Sequence, residues 1–272
     1  MSTAAWKSPA EQEGGPAGRP LPDKEFMATL EKGLAVLGAF GEERRSMTLS
    51  EAAALTGLTR ATARRILRTL ASLGYLLHNG RQFSLAPRIL ELGFAYLSTQ
   101  AWIDHAEPLM KELSQDIGES CSAAILQENE IVYVARMPAP HRLMSVSIAI
   151  GTRLPAFHSA LGRIQLGYLP EEEIWRRLRS IRLHPFTPHT IVDPRALIER
   201  VLADRAQEFS IVDEELETGL RAIAAPVLSR SGECVAAINI SAHANRATRS
   251  AMREDFLVPL QKVAVSISER IG

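Results

Sequence analysis

The sequence of 272 residues predicts an α/β protein of the α+β type, with an N-terminal winged helix-turn-helix, a linker helix and a larger C-terminal domain built on an antiparallel-rich sheet. Two observations predict the first domain. Two helical patterns are separated by about three residues around Gly57, and the pair Asn79-Gly80 lies between two β-prone runs. A third observation predicts the C-terminal domain, because its β-prone runs are mostly joined as hairpins and have helical patterns at each end.

The overall composition excludes several classes of protein. The 31 Lys and Arg residues balance the 31 Asp and Glu residues, so the net charge favours no class of partner. No apolar run approaches the ~18 residues of a membrane span, and the N-terminus lacks the apolar segment of a signal peptide. Cys121 and Cys234 lie far apart, which argues against a disulfide scaffold or a thiolate metal site. We therefore expect a cytoplasmic protein without a membrane partner.

The N-terminal end is expected to contain a tail and then the first domain. Residues 1–23 are rich in proline and glycine, so we predict a disordered tail there. The winged helix-turn-helix is assigned residues 24–86. Its first helix is indicated by apolar residues that recur at helical spacing from Met27 to Phe40.

The helix-turn-helix itself is predicted from capping residues. Thr48 and Glu51 have the spacing of a capping box, which begins the second helix. Gly57 ends that helix, and Thr59 can cap the third. The hairpin that follows, the wing, is predicted to turn at Asn79-Gly80.

The C-terminal half begins with a linker helix, predicted over residues 87–105. Pro87 suits its first turn. The C-terminal domain is assigned residues 106–272, and its first helix is expected to start at Pro108. The other predicted elements are a hairpin at 122–126 and 131–135, a strand at 143–150, helices beginning near His158, Pro170 and Pro194, strands at 209–213, 221–228 and 233–241, and a final helix at 247–270.

The third helix has an apolar face and an arginine face. Ala63, Ile66 and Leu67 share one side of the helical wheel, and Arg64, Arg65 and Arg68 lie at roughly 100° to 200° from Ala63. Between residues 59 and 81 there are five arginines and no acidic residue. A solvated face is the alternative explanation, but such a face normally mixes charges of both signs. The acid-free face beside a wing therefore predicts binding to double-stranded DNA.

The DNA contacts are predicted from the way such domains dock. The N-terminal residues of the third helix enter the major groove, later residues reach phosphates, and the tip of the wing reaches the backbone or the minor groove. The base-edge group is Arg60, Thr62 and Arg64, next to the capping residue Thr59; the phosphate group is Arg65 and Arg68; the wing group is Asn79, Arg81 and Gln82.

Sites for metals or catalysis are poorly supported. His184 and His189 are spaced as a zinc-binding pair, but loop histidines explain them more simply. His158 and Ser159 have the residue types of a base and a nucleophile, yet neighbouring side chains at a helix start do not face each other, and no G-x-S-x-G elbow is present. No nucleotide-binding loop occurs. We therefore expect no catalytic residue, no metal and no cofactor.

Several segments carry a resemblance to a known family. They are LTRATARRILRTLASLGYL (58–76), GTRLPAFHSALGRIQLGYLP (151–170) and DEELETGLRAIAAPV (213–227). Over residues 24–272, the sequence resembles the IclR family of bacterial transcription factors. It is most similar to the branch that controls aromatic catabolism through the β-ketoadipate pathway, including regulators of protocatechuate and 4-hydroxybenzoate genes. The resemblance implies a GAF-like C-terminal domain that binds a small carboxylic acid effector, a homodimer or homotetramer, and no catalysis.

A pocket for this effector is predicted in the C-terminal domain. The strand at 233–241 has one apolar face, and its other face ends with two polar residues, which either reach solvent or line a pocket. The resemblance implies the pocket. The positions that match effector contacts of relatives are Ala160, Leu161, Ala222, Asn239 and Ser241. Ser159 joins this set, because the free N–H groups at a helix start attract a carboxylate.

The sequence leaves more than one type of effector acid and more than one counter-ion as candidates. Arg136, Arg153 and Arg221 are candidate counter-ions for its carboxylate, without a ranking. Ala222 and Val212 replace polar residues of relatives that bind small keto acids, which favours an aromatic or larger acid. The main alternative is a regulator of the same family that senses a non-aromatic metabolite. Two further alternatives are an enzyme with an appended winged helix and a winged helix that binds protein instead of DNA.

Overall fold

The computed structural model describes residues 25–41, 44–139 and 148–271. These residues form two compact units, which divide between Thr99 and Gln100 and are described separately below. The tail predicted at 1–23 lies outside the described residues. Within them, no helix has the length and apolar content needed to cross a membrane.

The N-terminal unit is a winged helix-turn-helix, as the sequence predicted. Its strands form an antiparallel sheet in the order β1-β3-β2. The elements are α1 (Ala28–Gly38), β1 (Ser46–Thr48), α2 (Leu49–Thr56), α3 (Arg60–Ser72), β2 (Leu76–Asn79), β3 (Gln82–Leu85) and α4 (Ile89–Ser98). Sequence analysis missed β1, because a strand of three residues next to a helix cap has no periodicity to detect.

Local capping explains where α2 and α3 begin and end. The Thr48 hydroxyl accepts from the Glu51 amide at 3.3 Å, and the Glu51 carboxylate accepts from the Thr48 amide at 2.7 Å, so the predicted capping box is confirmed. Gly57 ends α2 with φ of 66°, in the left-handed region that glycine tolerates. The Thr59 hydroxyl caps α3 by accepting from the Thr62 amide at 3.2 Å.

The turn of the wing is shifted by one residue from its predicted position. Asn79 pairs with Gln82 across the hairpin, so the two-residue turn is Gly80-Arg81, not Asn79-Gly80. Gly80 has φ of 62°, which suits the first central position of a tight hairpin turn. This register is consistent with burial, because it places Leu76 and Phe83 in the core.

The C-terminal unit is a six-stranded antiparallel sheet with helices on both faces, which confirms the predicted α+β class. The strand order is β6-β5-β4-β9-β8-β7. The elements are α5 (Ala101–Ile117), β4 (Ser120–Gln127), β5 (Glu130–Met137), β6 (Arg153–Pro155), α6 (Ala160–Leu166), α7 (Glu171–Arg179), α8 (Pro194–Gln207), β7 (Ser210–Asp213), β8 (Leu220–Leu228), β9 (Cys234–His243), α9 (Arg249–Ala251) and α10 (Leu257–Ser268).

The two faces of this sheet are covered by different helices. Helix α6 packs on the face that presents Ala124, Ala224 and Ala237, and α8 completes that core. The opposite face buries Ile238 and Ile240, on the side where α5 and α10 contact the sheet. Small residues under α6 let the helix approach the sheet closely, and this approach positions the site described below.

Two helices differ from the sequence prediction. The linker helix predicted at 87–105 is interrupted, since α4 ends at Ser98 and α5 begins at Ala101, seven residues before Pro108. Pro108 therefore lies inside α5, where a proline removes one backbone hydrogen bond. A buried apolar stripe extends along α5 on both sides of the exposed proline and offsets this cost. The stripe is Trp102, Ile103, Ala106, Met110 and Leu113.

The last predicted helix and one predicted strand also need correction. A π-helical turn at Met252–Phe256 separates α9 from α10, just before Pro259, which lacks the N–H for a regular helical bond. Residues 143–147 of the strand predicted at 143–150 lie outside the described residues. The remaining residues, 148–150, belong to no strand.

Candidate functional site

The arginine face of α3 is exposed in the structure. Arg60, Arg64, Arg65 and Arg68 all point away from the core formed by Val36, Ile66 and Leu67. Arg81 is exposed at the turn of the wing, between Asn79 and Gln82, which are exposed as well. None of these five arginines forms an ion pair with another described residue. The structure therefore presents an uncompensated positive surface along α3 and at the tip of the wing.

The two predicted threonines stand at the start of α3, where they serve as its cap. The Thr59 and Thr62 hydroxyls lie 2.9 Å apart, and Thr59 also accepts from the Thr62 amide. Thr62 is half-buried and Thr59 is exposed. This cap fixes the first turn, so the positions of Arg60 and Arg64 relative to the wing are set by the backbone.

Apolar residues are exposed on two helices of the N-terminal unit. Sequence reasoning read the spacing of such residues only as a sign of helix. The exposed residues are Met27, Leu30 and Leu34 near or on α1, and Leu90, Leu92 and Phe94 on α4. Apolar faces of this kind are usual where a second protein surface packs.

A second site lies in the C-terminal unit, between the start of α6 and the sheet. It is a cavity of about 30 Å³, enough for one or two water molecules. Its apolar lining includes Tyr133, Ile148, Leu154, Leu216 and Leu220. All six residues predicted to bind an effector line it as well: Ser159, Ala160, Leu161, Ala222, Asn239 and Ser241. Residues from α6, β8 and β9 are thus brought together at one place.

Two polar side chains in this cavity have atoms without partners. Asn239 and His158 are each only 3% exposed. Asn239 Nδ2 donates to Ser241 Oγ at 2.9 Å, but Asn239 Oδ1 has no partner among the described residues. His158 Nδ1 likewise has none. Sequence reasoning had considered His158 as a catalytic base and rejected that role, and it did not place His158 in the effector pocket.

The charge of His158 is set by its surroundings. Burial, followed by the nearby Arg163 and His184, lowers the pKa of His158 to about 4. The imidazole is therefore neutral at pH 7. Its ring packs edge-on against Phe186 at 5.5 Å between centroids. A neutral imidazole is a hydrogen-bonding group and not a counter-ion for a carboxylate.

The start of α6 is less open than the sequence suggested. The helix begins at Ala160, after a 3-10 turn at Ala156–His158, and it has only seven residues. Ser159 Oγ accepts from the Gly162 amide at 3.1 Å, so one of the N–H groups expected to attract a carboxylate is already satisfied. A Cβ on Gly162 would lie 2.3 Å from Ala156 Cα, which is why only glycine fits here.

The three candidate counter-ions differ in their partners. Arg153 pairs with Glu130 at 2.6 Å, and Arg221 pairs with Asp213 at 2.7 Å. Arg136 is half-buried and forms no hydrogen bond or ion pair with a described residue. Burial lowers the pKa of the Arg136 guanidinium, and the neighbouring Tyr133 partly offsets this.

The register of the sheet places Arg136 relative to the cavity. Ser122 on β4 pairs with Arg136 on one side and with Asn239 on the other. Residues that pair directly across a sheet point to the same face. The unpaired guanidinium and the unpaired amide therefore lie on the sheet face that α6 covers.

Sequence reasoning missed the strongest electrostatic contact of this unit. Arg163 on α6 is fully buried and forms a two-pronged ion pair with Glu215, with Arg163 Nη1 to Glu215 Oε1 at 2.7 Å. Arg163 Nε also donates to the Phe157 carbonyl at 2.7 Å. The Thr190 hydroxyl binds the Glu215 carbonyl at 2.6 Å. These bonds hold α6 to the segment that carries Leu216 of the cavity wall.

The histidine pair considered for zinc does not gather further ligands. His184 is exposed and packs on Phe186 at 4.3 Å between ring centroids. Among the residues that the structure describes, no group of three or more His, Cys, Asp or Glu side chains is arranged to hold a metal ion.

Comparisons with known proteins cover both units. The family model described as "IclR helix-turn-helix domain" matches residues 29–80, and "Bacterial transcriptional regulator IclR C-terminal" matches residues 94–269. The Pca regulon regulatory protein of Pseudomonas putida is 40% identical over 86% of this chain and 81% of its own length. The p-hydroxybenzoate hydroxylase transcriptional activator of Acinetobacter baylyi is 34% identical over 89% of this chain and 90% of its own length.

One solved structure bears on the cavity. It is the inducer-binding domain of the Acinetobacter transcription factor PobR, a double mutant in complex with 3-hydroxybenzoic acid. The match has a TM-score of 0.58 and 29% identity, and it covers 62% of this chain and 98% of that domain.

Proposed function

The chain belongs to the IclR family of bacterial transcriptional regulators, and from this premise we propose which surfaces carry its function. Like these relatives, it is a DNA-binding regulator, and it is not an enzyme. We propose that α3 and the wing bind operator DNA and that the cavity beneath α6 binds an aromatic carboxylic acid. The observation that carries the proposal is the cavity, since the six residues predicted from the sequence and its family resemblance all line it, together with two side chains that have unsatisfied polar atoms.

The DNA contacts follow from the exposed arginine face. Arg60, Thr62 and Arg64 read base edges from the first turns of α3, with Thr59 fixing the helix start. Phosphates bind Arg65 and Arg68. The wing adds contacts from Asn79, Arg81 and Gln82. Operator DNA lies in the bacterial cytoplasm, so the chain acts there.

The exposed apolar residues of α1 and α4 support self-association. The proposed assembly is a homodimer, with a homotetramer as the alternative. Leu30 and Leu34 on α1, and Leu90 and Phe94 on α4, are more exposed than core residues of a monomer would be. Sedimentation equilibrium of Leu34→Glu and Phe94→Glu variants tests this, and two monodisperse monomers in place of a wild-type dimer would support it.

An aromatic acid suits the lining of the cavity. Leu154, Leu161 and Leu216 offer apolar surface for a ring. Arg136, on the same face of the sheet as Asn239, is the candidate cation, since it has no partner among the described residues. The A. baylyi activator and the PobR complex support a hydroxybenzoate-type acid. A ring is larger than the present 30 Å³, so binding requires the lining side chains to separate. Such a change of shape couples binding to the conformation of the C-terminal unit.

A second candidate is a regulator of the same family that senses a non-aromatic acid. The small cavity volume and the polar end formed by Asn239 and Ser241 favour it. The two candidates differ in what binding requires: an aromatic acid needs the cavity to widen more than a small non-aromatic acid does.

Thermal unfolding of the full chain with a panel of aromatic and aliphatic acids tests the effector proposal. A ligand at 100 times its Kd raises stability by about 2.7 kcal/mol. We expect this for at least one hydroxybenzoate. Stabilisation by aliphatic acids alone would favour the second candidate, and no response to any acid in the panel would contradict both.

The DNA proposal is tested by comparing two arginines of α3. Arg64→Ala should lower the preference for the operator over other DNA, by about 1 to 3 kcal/mol. Arg68→Ala should weaken binding to both kinds of DNA alike. Fluorescence anisotropy with an operator and a scrambled duplex measures this difference. An unchanged preference in Arg64→Ala would refute its role in reading bases.

A further inference from the structure

Two buried side chains that line the cavity each have one polar atom without a hydrogen-bond partner among the described residues. His158 Nδ1 and Asn239 Oδ1 come from different elements, and both line the space between α6 and the sheet. Buried polar groups are nearly always hydrogen-bonded, because an unsatisfied one costs about 1 to 3 kcal/mol. Two such side chains lining one cavity indicate that the cavity is built to hold a polar group between its walls.

The chemical type of that group follows from the two side chains. A carboxylate does not suit Asn239, because Asn239 Nδ2 already donates to Ser241 and the free Asn239 Oδ1, like a carboxylate oxygen, only accepts hydrogen bonds. The neutral imidazole of His158 can offer either a donor or an acceptor. A hydroxyl group is the small group that satisfies either choice, because it donates one hydrogen bond and accepts others.

We infer that His158 and Asn239 bind the hydroxyl group of a hydroxylated acid effector and that these two side chains determine specificity for it. The inference rests on the proposed function of the cavity. A water molecule can bridge the two side chains when no effector is bound, and the effector then has to replace the hydrogen bonds of that water. An acid without a hydroxyl displaces the water and leaves both side chains unsatisfied.

This arrangement predicts how strongly the site prefers a hydroxylated acid to one without a hydroxyl group. A site built to bind a hydroxyl rejects the analogue that lacks it far more strongly than an apolar pocket rejects an extra methylene. We therefore expect at least a tenfold preference for a hydroxylated acid over benzoate, which equals about 1.4 kcal/mol. The preference has to depend on the imidazole and not only on the shape of the pocket.

Isothermal titration of the full chain tests this with four probes: benzoate, 3-hydroxybenzoate, 4-hydroxybenzoate and 3,4-dihydroxybenzoate. In the wild type, we expect the best hydroxylated acid to bind at least tenfold more tightly than benzoate. In His158→Phe, this ratio should fall below about threefold, because a phenyl ring fills similar space without hydrogen bonding. In His158→Gln, which keeps a hydrogen-bonding group, the ratio should be partly restored.

The matched control is His189→Phe, the same substitution at an exposed loop histidine that does not line the cavity. It should keep the wild-type ratio. If His158→Phe lacks the far-UV circular dichroism of the folded chain, Asn239→Leu replaces it under the same criterion.

Each result separates this inference from the proposed function. If benzoate binds the wild type as tightly as the hydroxylated acids, the inference is wrong and the proposed aromatic-acid site stands. If the folded cavity variant retains the tenfold ratio, these side chains do not bind the hydroxyl and the inference is also wrong. If none of the four acids binds, the proposed function and the inference both fail.

Discussion

The arginines of the two units differ in what they contact. In the N-terminal unit, the five arginines of α3 and the wing are exposed, and none pairs with a described carboxylate. In the C-terminal unit, Arg163, Arg221 and Arg246 each bind a carboxylate of their own chain. These three arginines of the C-terminal unit thus form structural ion pairs, whereas the five arginines of the N-terminal unit are available to bind a ligand. An arginine that the fold leaves unpaired is therefore the better candidate for binding.

Arg136 differs from these three arginines of the C-terminal unit. It is half-buried, yet it forms no ion pair with a described residue, and it faces the same side of the sheet as Asn239. A partly desolvated cation without a partner is costly. By the same criterion as the α3 arginines, Arg136 is a stronger candidate counter-ion for the effector than Arg153 or Arg221, which pair with Glu130 and Asp213.

The largest effect is expected from breaking the buried pair of Arg163 and Glu215. Arg163→Met leaves the Glu215 carboxylate buried without its partner, which should lower the free energy of unfolding by about 3 to 5 kcal/mol. Adding Glu215→Leu removes the stranded charge, so the double variant should recover part of the loss. Urea unfolding followed by tryptophan fluorescence measures both, since Trp102 and Trp175 lie in this unit.

The control for this prediction is an exposed ion pair of the same unit. Arg176 binds Glu173 at 2.6 Å on the surface of α7. Arg176→Met should have a much smaller effect than Arg163→Met, because solvent screens an exposed pair. If both variants lost the same free energy of unfolding, burial would not explain the importance of the Arg163 pair.

The free energy of unfolding is expected to depend on pH through His158, because this side chain is buried as well. Its pKa is about 4 in the folded chain, below its ordinary 6.5, so the unfolded chain binds a proton more readily. The stability that this histidine contributes is present above pH 6.5 and is lost as the pH falls towards 4. By pH 4 the loss is about 3 kcal/mol, since one pKa unit corresponds to about 1.4 kcal/mol.

The test compares the wild type with His158→Phe at pH 7 and at pH 4. The wild type should lose about 3 kcal/mol more than the variant over this range. Other groups titrate equally in both proteins, so the difference reports His158 alone. Parallel pH profiles would mean that the folded chain does not hold this imidazole neutral.

The space around two glycines also differs between the units, and replacing each glycine by alanine tests this difference. Gly162→Ala places a Cβ 2.3 Å from the Ala156 backbone and should lower the free energy of unfolding by about 1 to 3 kcal/mol. Gly38→Ala, at the end of α1, meets nothing within 4 Å and should be neutral or slightly stabilising. Melting temperatures by calorimetry compare the two. A harmless Gly162→Ala would contradict the close approach of α6 to the sheet.

Features decided by nearby residues were predictable from the sequence. The capping box of Thr48, the left-handed Gly57 and the Thr59 cap depend on residues three or four apart, so their spacing sufficed. The same holds for the alternation that places Asn239 and Ser241 on one face of β9. The fold class and the DNA-binding function followed from these patterns together with the resemblance to a family.

Features decided by distant residues were not predictable. Arg163 and Glu215 are 52 residues apart, so no local spacing signals their pair. Ranking Arg136 above Arg153 and Arg221 required the sheet register and the partners of each side chain. The start of α5 before Pro108 was misjudged because local proline rules were weighed without the tertiary burial that overrides them.

The smallest effect, and the most direct test of the difference between the units, concerns salt. If each protomer of a dimer neutralises ~4 phosphates, the log–log slope of DNA affinity against salt should be near −7. Arg68→Ala should reduce its magnitude by about 2, one contact in each protomer. Arg195→Ala removes the same charge from the exposed start of α8 and should leave the slope unchanged. Equal changes in both variants would mean that DNA responds to the net charge of the chain. A change confined to Arg68→Ala would mean that it responds to the unpaired face of α3.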